Sequence, residues 1–380
     1  MTLSECGRAC LVAIIASSAG FALPIQAGDQ QPAVTLAAAK EAVVSARSVL
    51  RRGFDSNRQR AIAWSADGNL WVASEPDFSP RILSARDQQG SITQIYPSGD
   101  GQSFFFVREQ GSSPGTKELL QVAIDKAGSA KRVDSGADIP TQLSFAPSGD
   151  AVAFVDGTML YEYRRIADGQ WQRRALLDAS DPRNTAAIGL SDIAYSADGS
   201  QLAWVSQRKA QQRYVAVHDI AKGETRYLDP GVFVDLSPVW SPDGSEVAFI
   251  RWPTNLVMNY RFSSGREGVP WSIVAANVKT GAARTVWKAD AGPGSLPAGF
   301  DLIWAPSGEI LFRWEKTGWN LLYAVPASGG AARLLTPGDG EVLSQPALSA
   351  DGRSVVYSAN IGDLMRPHLW SVALAGGAPK

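Results

Sequence analysis

Thiols are almost absent from this chain: its 380 residues include two cysteines, Cys6 and Cys10, both within the first ten positions. Histidine is as scarce, with only His218 and His368. A zinc site needs three or four closely placed ligands, so this histidine and cysteine supply excludes a metal centre. Each histidine is read instead as a strand residue, on Tyr214–Ile220 and Pro367–Ala373. No GKS or GKT phosphate loop and no GxGxxG occurs, which removes the common nucleotide signatures; no cofactor is expected. Charge of one sign is also lacking. With 36 Lys and Arg against 37 Asp and Glu, the net charge is -1, and no basic face is present to neutralise phosphates, so nucleic acid is excluded as a partner.

The apolar stretch Ala9–Leu23 is shorter than the roughly 20 residues of a membrane-spanning helix. It follows a short leader and ends in Pro24-Ile25-Gln26-Ala27, the pattern of a secretory signal peptide cut after Ala27. The expected domain order is therefore 1–27 signal peptide, 28–59 lead-in segment, partly helical over Ala33–Arg51, and 60–380 repeats. Cleavage removes both cysteines. The mature chain then forms no disulfide, suits an oxidising compartment such as the periplasm or the exterior, and has no membrane span.

What is abundant is one repeated hairpin: an aromatic or apolar residue, two or three small residues or Pro, Asp or Ser with Gly, then an apolar strand. Seven copies occur, near positions 64, 96, 145, 195, 240, 304 and 348 (WSADG, YPSGDG, FAPSGD, YSADGS, WSPDGS, WAPSGE and LSADGR). Their spacing is mostly about 45 to 50 residues, the length of a four-stranded blade. In the fifth copy, Leu236–Trp240 alternates apolar residues, and Pro242-Asp243-Gly244 supplies a preset φ, a side chain that bonds its own turn, and a glycine tolerant of positive φ. Glu246–Ile250 returns as the second strand, Trp271–Val278 is the third and Ala283–Trp287 the fourth. Strands apolar on both faces cannot be buried by one sheet, so neighbours must stack around an axis. The fold class expected is an all-β propeller of about seven four-stranded blades (six to eight), the last incomplete.

Candidate chemistry is sparse. Gly111-Ser112-Ser113-Pro114-Gly115 satisfies G-x-S-x-G, but the residue after the nucleophile must donate its N–H to an oxyanion hole, and Pro114 has none. Asp67, Asp198, Asp243 and Asp351 of the repeats are read as turn formers rather than calcium ligands or catalytic carboxylates. No catalytic residue is expected. The insertion Pro253–Pro270 in the fifth repeat is the best candidate binding loop, with Arg261 and Arg266 as substrate-binding residues because an arginine offers a two-donor fork to carboxylates and carbonyls. At the chain end, Ala375-Gly-Gly-Ala-Pro-Lys380 matches Ser328-Gly-Gly-Ala-Ala-Arg333 of the sixth repeat and stops where the outer strand is due, so the sequence is expected to be a fragment.

The stretches Leu236-Ser-Pro-Val-Trp-Ser-Pro-Asp-Gly-Ser-Glu-Val-Ala-Phe-Ile-Arg251, Val269-Pro-Trp-Ser-Ile273, Trp314-Glu-Lys-Thr-Gly-Trp319, Leu335-Thr-Pro-Gly338 and Tyr357–Asn360 to His368-Leu-Trp370 resemble the N-terminal propeller of the prolyl oligopeptidase family, in its dipeptidyl-peptidase-like branch, and more distantly the TolB-type propellers. The specific likeness covers roughly Gly189–Lys380. It implies a propeller that gates and orients peptide substrate for a C-terminal α/β-hydrolase domain missing from this chain. The Glu-Glu pair with which dipeptidyl peptidases of this kind hold the substrate amino terminus has no match here. A stand-alone TolB-like propeller that binds a protein partner is the alternative.

Overall fold

The computed structural model describes residues 61–380, apart from 67, 75–78, 86–89, 111–115, 129, 137–141, 181–186, 210–211, 254–270, 291–296, 337–339, 344–345, 350, 364 and 366. The expected signal peptide (1–27), the expected helical stretch Ala33–Arg51 and Asp67 therefore fall outside the described residues. Those described form strands and turns, with no α-helix among them.

The repeats become successive antiparallel sheets. Sheet 1 holds β1 (Ala61–Ala66), β2 (Asn69–Ser74) and β3 (Arg81–Ser84); blade 2 holds β4 (Gly90–Pro97), β5 (Ser103–Gln110), β6 (Thr116–Ala123) and β7 (Lys131–Gly136). Blade 3 is β8 (Leu143–Phe145), β9 (Ala151–Asp156), β10 (Met159–Arg165) and β11 (Trp171–Asp178); blade 4 is β12 (Gly189–Tyr195), β13 (Gln201–Gln207), β14 (Arg213–Asp219) and β15 (Glu224–Tyr227). Blade 5 is β16 (Phe233–Trp240), β17 (Glu246–Pro253), β18 (Ser272–Asn277) and β19 (Ala283–Lys288). Blade 6 is β20 (Pro297–Trp304), β21 (Glu309–Trp314), β22 (Leu321–Pro326) and β23 (Arg333–Leu334), and sheet 7 is β24 (Ala347–Leu348), β25 (Ser354–Ala359) and β26 (His368–Ala373). The propeller architecture holds, but the expectation of seven four-stranded blades does not: among the described residues five are complete, and the first and last repeats give three-stranded sheets. In sheet 7 the chain comes back alongside β26 at Lys380. Lys380 exchanges two backbone hydrogen bonds of 2.9 Å with Ser371, the position at which Arg333 pairs Ala324 in blade 6.

Stacking follows from the two-residue period of a strand. In β17, Val247, Ala248, Phe249 and Ile250 are all buried. Ala248 and Ile250 join Trp271, Trp287, Phe312 and Trp314 in the core shared with blade 6, while Val247 and Phe249 join Val205, Val217 and Trp240 in the core shared with blade 4. Similar clusters lie between each consecutive pair of sheets. Trp287 meets Trp271, Phe312 and Trp314 with ring centroids 4.6 to 4.8 Å apart, and such pairs add about 0.5–1.5 kcal/mol each beyond burial.

Two kinds of polar contact set the geometry. In the hairpin turns, Ser241 Oγ donates to Asp243 at 2.7 Å and accepts the Glu246 N–H at 2.9 Å; Ser196 with Asp198 and Gln201, and Ser349 with Asp351 and Ser354, repeat the device. These aspartates act as turn formers. On the inner strands, β12 and β16 carry bulges after Ser191 and Leu236, which place Asp192 at φ 53° and Ser237 at φ 55°. Their amides are satisfied by the preceding blade: Asp192 N–H donates to Gln142 Oε1 at 3.1 Å and Ser237 N–H to Asp192 Oδ2 at 3.3 Å. Trp240 Nε1 likewise donates to the Ala194 carbonyl at 3.0 Å. The left-handed backbone thus persists where neighbouring blades over-determine it.

Candidate functional site

The antiparallel order places two sets of connections on opposite edges of the propeller. One edge carries the Ser-Asp turns; the other carries the end of β17, the start of β18 and the approach to β16. At this second edge a cleft of about 290 Å³ is lined by residues that include Asp229, Phe233, Arg251, Ser272, Thr285 and Lys288. It lies at the base of the insertion singled out by the sequence. Arg261 and Arg266 themselves fall outside the described residues, as do Gly111–Gly115. The strands flanking the latter pair as a hairpin, Gln110 opposite Thr116, which is not the strand-to-helix elbow a serine nucleophile requires.

Arg251 organises the cleft. Its cross-strand partner is Asp235, and Nε and Nη2 donate to the two Asp235 carboxylate oxygens at 2.8 and 2.9 Å. Nη1 donates to Asp229 Oδ2 at 2.7 Å and Nη2 to the Asp229 carbonyl at 2.8 Å, which holds Asp229 at φ 47°. The guanidinium also lies 4.3 Å from the Phe233 ring centroid and 5.2 Å from that of Phe249. Asp235 is fully buried. Burial pushes its carboxyl up to about 6, against the pull of Arg251, so the pair is ionised at neutral pH. Blade 6 has a related pair, with Arg313 Nε donating to both Asp301 oxygens at 3.2 Å.

This arrangement fixes a shape; it does not supply a reaction centre. Arg251 is committed to two carboxylates, Arg284 donates to Glu246 and the Ala327 carbonyl, the lining residues hold no histidine, and the other polar lining groups are the Lys288 amine and the Ser272 and Thr285 hydroxyls. Among the described residues, no group of three or more His, Cys, Asp or Glu is placed to hold a metal. His218 is buried, which pushes its imidazole pKa down, and its Nδ1 lies 3.0 Å from Thr225 Oγ1. His368 is half-exposed, 3.9 Å from Asp363. The sequence reading did not single out Asp229, Asp235 or Lys288; Asp235 and Arg251 stand 16 residues apart, and only the strand register brings them together.

A second buried carboxylate ties blade 3 to blade 4. Glu162, wholly buried, accepts from Arg164 Nε and Nη2 at 3.0 and 2.9 Å, from Arg174 Nε at 2.7 Å, and from the Tyr195 hydroxyl at 2.8 Å. Burial raises its pKa, but the hydrogen bonds and charges of these partners outweigh that and hold it below the usual carboxylate range. Tyr195 is pushed up by burial and by Glu162.

Antiparallel sheets stacked blade on blade and tied by polar clasps define a β-propeller. Within that class, residues 279–380 match the family described as the dipeptidyl peptidase IV (DPP IV) N-terminal region, the likeness to the prolyl oligopeptidase family read from the sequence. A search of curated protein sequences gave no match. Among solved structures, the dipeptidyl peptidase 4 of Porphyromonas gingivalis is similar with a TM-score of 0.55 at 12% identity, over 89% of this chain and 53% of that one. A puromycin-hydrolyzing peptidase of Mycobacterium tuberculosis gives 0.54 at 18%, over 74% of this chain and 44% of that one. The oligogalacturonate lyase of Vibrio parahaemolyticus gives 0.57 at 13%, over 87% and 90%. At these identities the structures share the fold. This chain spans about half the length of the two peptidases or less.

Proposed function

We propose that this chain is the noncatalytic propeller region of an exported prolyl-oligopeptidase-like serine peptidase, and that it gates and orients peptide substrate for an α/β-hydrolase domain carried elsewhere in the protein. The observation that carries this reading is the match of residues 279–380 to the DPP IV N-terminal region. The apolar segment Ala9–Leu23 and the small residues after it support export to the periplasm or the medium. Peptide is the expected ligand, and Arg261 and Arg266, in the sequence between β17 and β18, are its proposed anchors. An arginine fork suits a carboxylate or carbonyl.

The test is to read the gene past the codon for Lys380. A continuing frame of a hundred or more residues containing G-x-S-x-G, Asp and His supports the peptidase reading. A stop codon there overturns it in favour of a stand-alone binding propeller. In the full-length protein, replacing Arg261 and Arg266 together by alanine should weaken peptide binding about tenfold, or 1.4 kcal/mol; unchanged affinity removes both residues from the site.

A further inference from the structure

Blade 4 presents another polar group on the face it turns toward blade 3. Strand register pairs Trp204 with Ala216, Ser206 with Tyr214, and Ala216 with Tyr227, so Trp204, Ser206, Tyr214 and Tyr227 share one face. Arg208, just past the end of β13, lays its guanidinium over this group, 5.4 Å from the Tyr214 ring centroid and 5.2 Å from that of Tyr227. Trp204 and Tyr214 each meet Tyr227 edge-on at 6.1 Å. Ser206, Arg208, Tyr214 and Tyr227 lie at or just past strand ends on the edge where β17 ends and β18 starts, and Trp204 sits mid-strand beside them.

Four buried polar atoms here have no hydrogen-bond partner among the described residues: Trp204 Nε1, Ser206 Oγ, Arg208 Nε and Tyr227 OH. Trp204 and Ser206 are 0% exposed. Arg208 is partly buried. The buried Arg251 is committed to Asp235 and Asp229, and Arg108 donates to Ser84 Oγ and the Ala85 carbonyl while its Nε also lacks a partner among the described residues. Arg208 meets aromatic rings and no carboxylate among the described residues. An indole N–H and a guanidinium N–H only donate, both hydroxyls can donate, and the guanidinium is always charged. An acceptor-rich anion satisfies all four together. A carboxylate fits best, because its two coplanar oxygens match the guanidinium fork, and the tyrosine rings offer walls for the carbon that bears it.

We propose that the Arg208 cluster, on the face that blade 4 turns toward blade 3, is a carboxylate-binding site, with Arg208, Trp204 Nε1, Ser206 and Tyr227 as donors. The site goes beyond the peptidase reading and does not depend on it. The carboxylate belongs either to a peptide, as its chain end, or to a free small acid.

The test titrates the purified chain, at constant ionic strength, with acetate, with N-acetyl-triglycine, and with the C-terminal amide of that peptide. The Trp204 indole N–H resonance, assigned by its loss in Trp204→Phe, is the reporter. Acetate and the acid peptide should move it downfield to saturation, and the amide should not. Binding of the acid peptide at least tenfold tighter than acetate identifies a peptide end as the ligand; equal affinities identify a free carboxylate. Arg208→Gln should weaken either by tenfold or more. Tyr227→Phe, which removes one hydroxyl, should weaken it about threefold with an unchanged melting temperature, and it carries the test if Arg208→Gln does not fold. An unmoved indole resonance, equal shifts from acid and amide, or undiminished binding in a folded variant overturns the proposal.

Discussion

Replacing Glu162 by glutamine keeps the shape of a wholly buried side chain and removes the charge on which two arginines and a tyrosine converge. Hydrogen bonds to a charged group contribute about 1.5–3 kcal/mol each, and leaving one side of a buried pair uncompensated costs about 3–5 kcal/mol. Two features reduce the loss. Arg164 and Arg174 are 36% and 45% exposed and can turn to water, and the glutamine oxygen still accepts from Tyr195. The expected destabilisation at pH 7 is about 3 kcal/mol, or roughly 5 °C in melting temperature for a domain of this size. Urea denaturation followed by tryptophan fluorescence measures it. The pH dependence adds a second criterion. Because the folded state holds the Glu162 pKa below its unfolded value, its contribution is fully present above the unfolded value and is lost as pH falls through the folded one. The gap between the native protein and Glu162→Gln should therefore be constant from pH 7 to about 5 and shrink below about 4. A variant as stable as the native protein at pH 7, or a gap that widens on acidification, refutes the assignment of Glu162 as an ionised clasp.

Asp235 should behave in the opposite sense. Its folded pKa is raised to about 6, so its contribution is fully present below the unfolded carboxylate value and is lost as pH rises through 6; relative to Asp235→Asn, the native protein should gain up to about 3 kcal/mol between pH 7 and 4, and a flat difference in urea midpoints across that range would contradict the reading. Gly99 lies where a Cβ would sit on the Ala146 carbonyl of the neighbouring turn. Gly99→Ala should therefore destabilise by about 2 kcal/mol or more, whereas Gly244→Ala, with open space around it but a φ of 71°, should cost about 1 kcal/mol; thermal melts giving equal losses would place no close contact at Gly99.

The repeats were legible because their information is local. Ser241, Asp243 and Gly244 complete a turn within five residues, and the apolar runs beside them need only the strand period to declare two buried faces. The count of complete blades was not legible, because the turn motif of the first or last repeat is present whether or not a fourth strand pairs beside it. The residues of the Arg251 cleft were not legible: the meeting of Asp235 with Arg251 depends on the register of β16 against β17, beside a bulge at Leu236 to Val239.

What this sequence determined by itself was therefore the fold class, the turn chemistry and the scarcity of histidine and thiol, all properties of residues within a few positions of one another. Tertiary structure alone decided which charges would be buried and what they would face. Glu162 reaches Tyr195 across 33 positions and Trp240 reaches Ala194 across 46. Such contacts arise only when one blade stacks on the next, and the pattern of a single repeat carries no record of the side chains its neighbour will present.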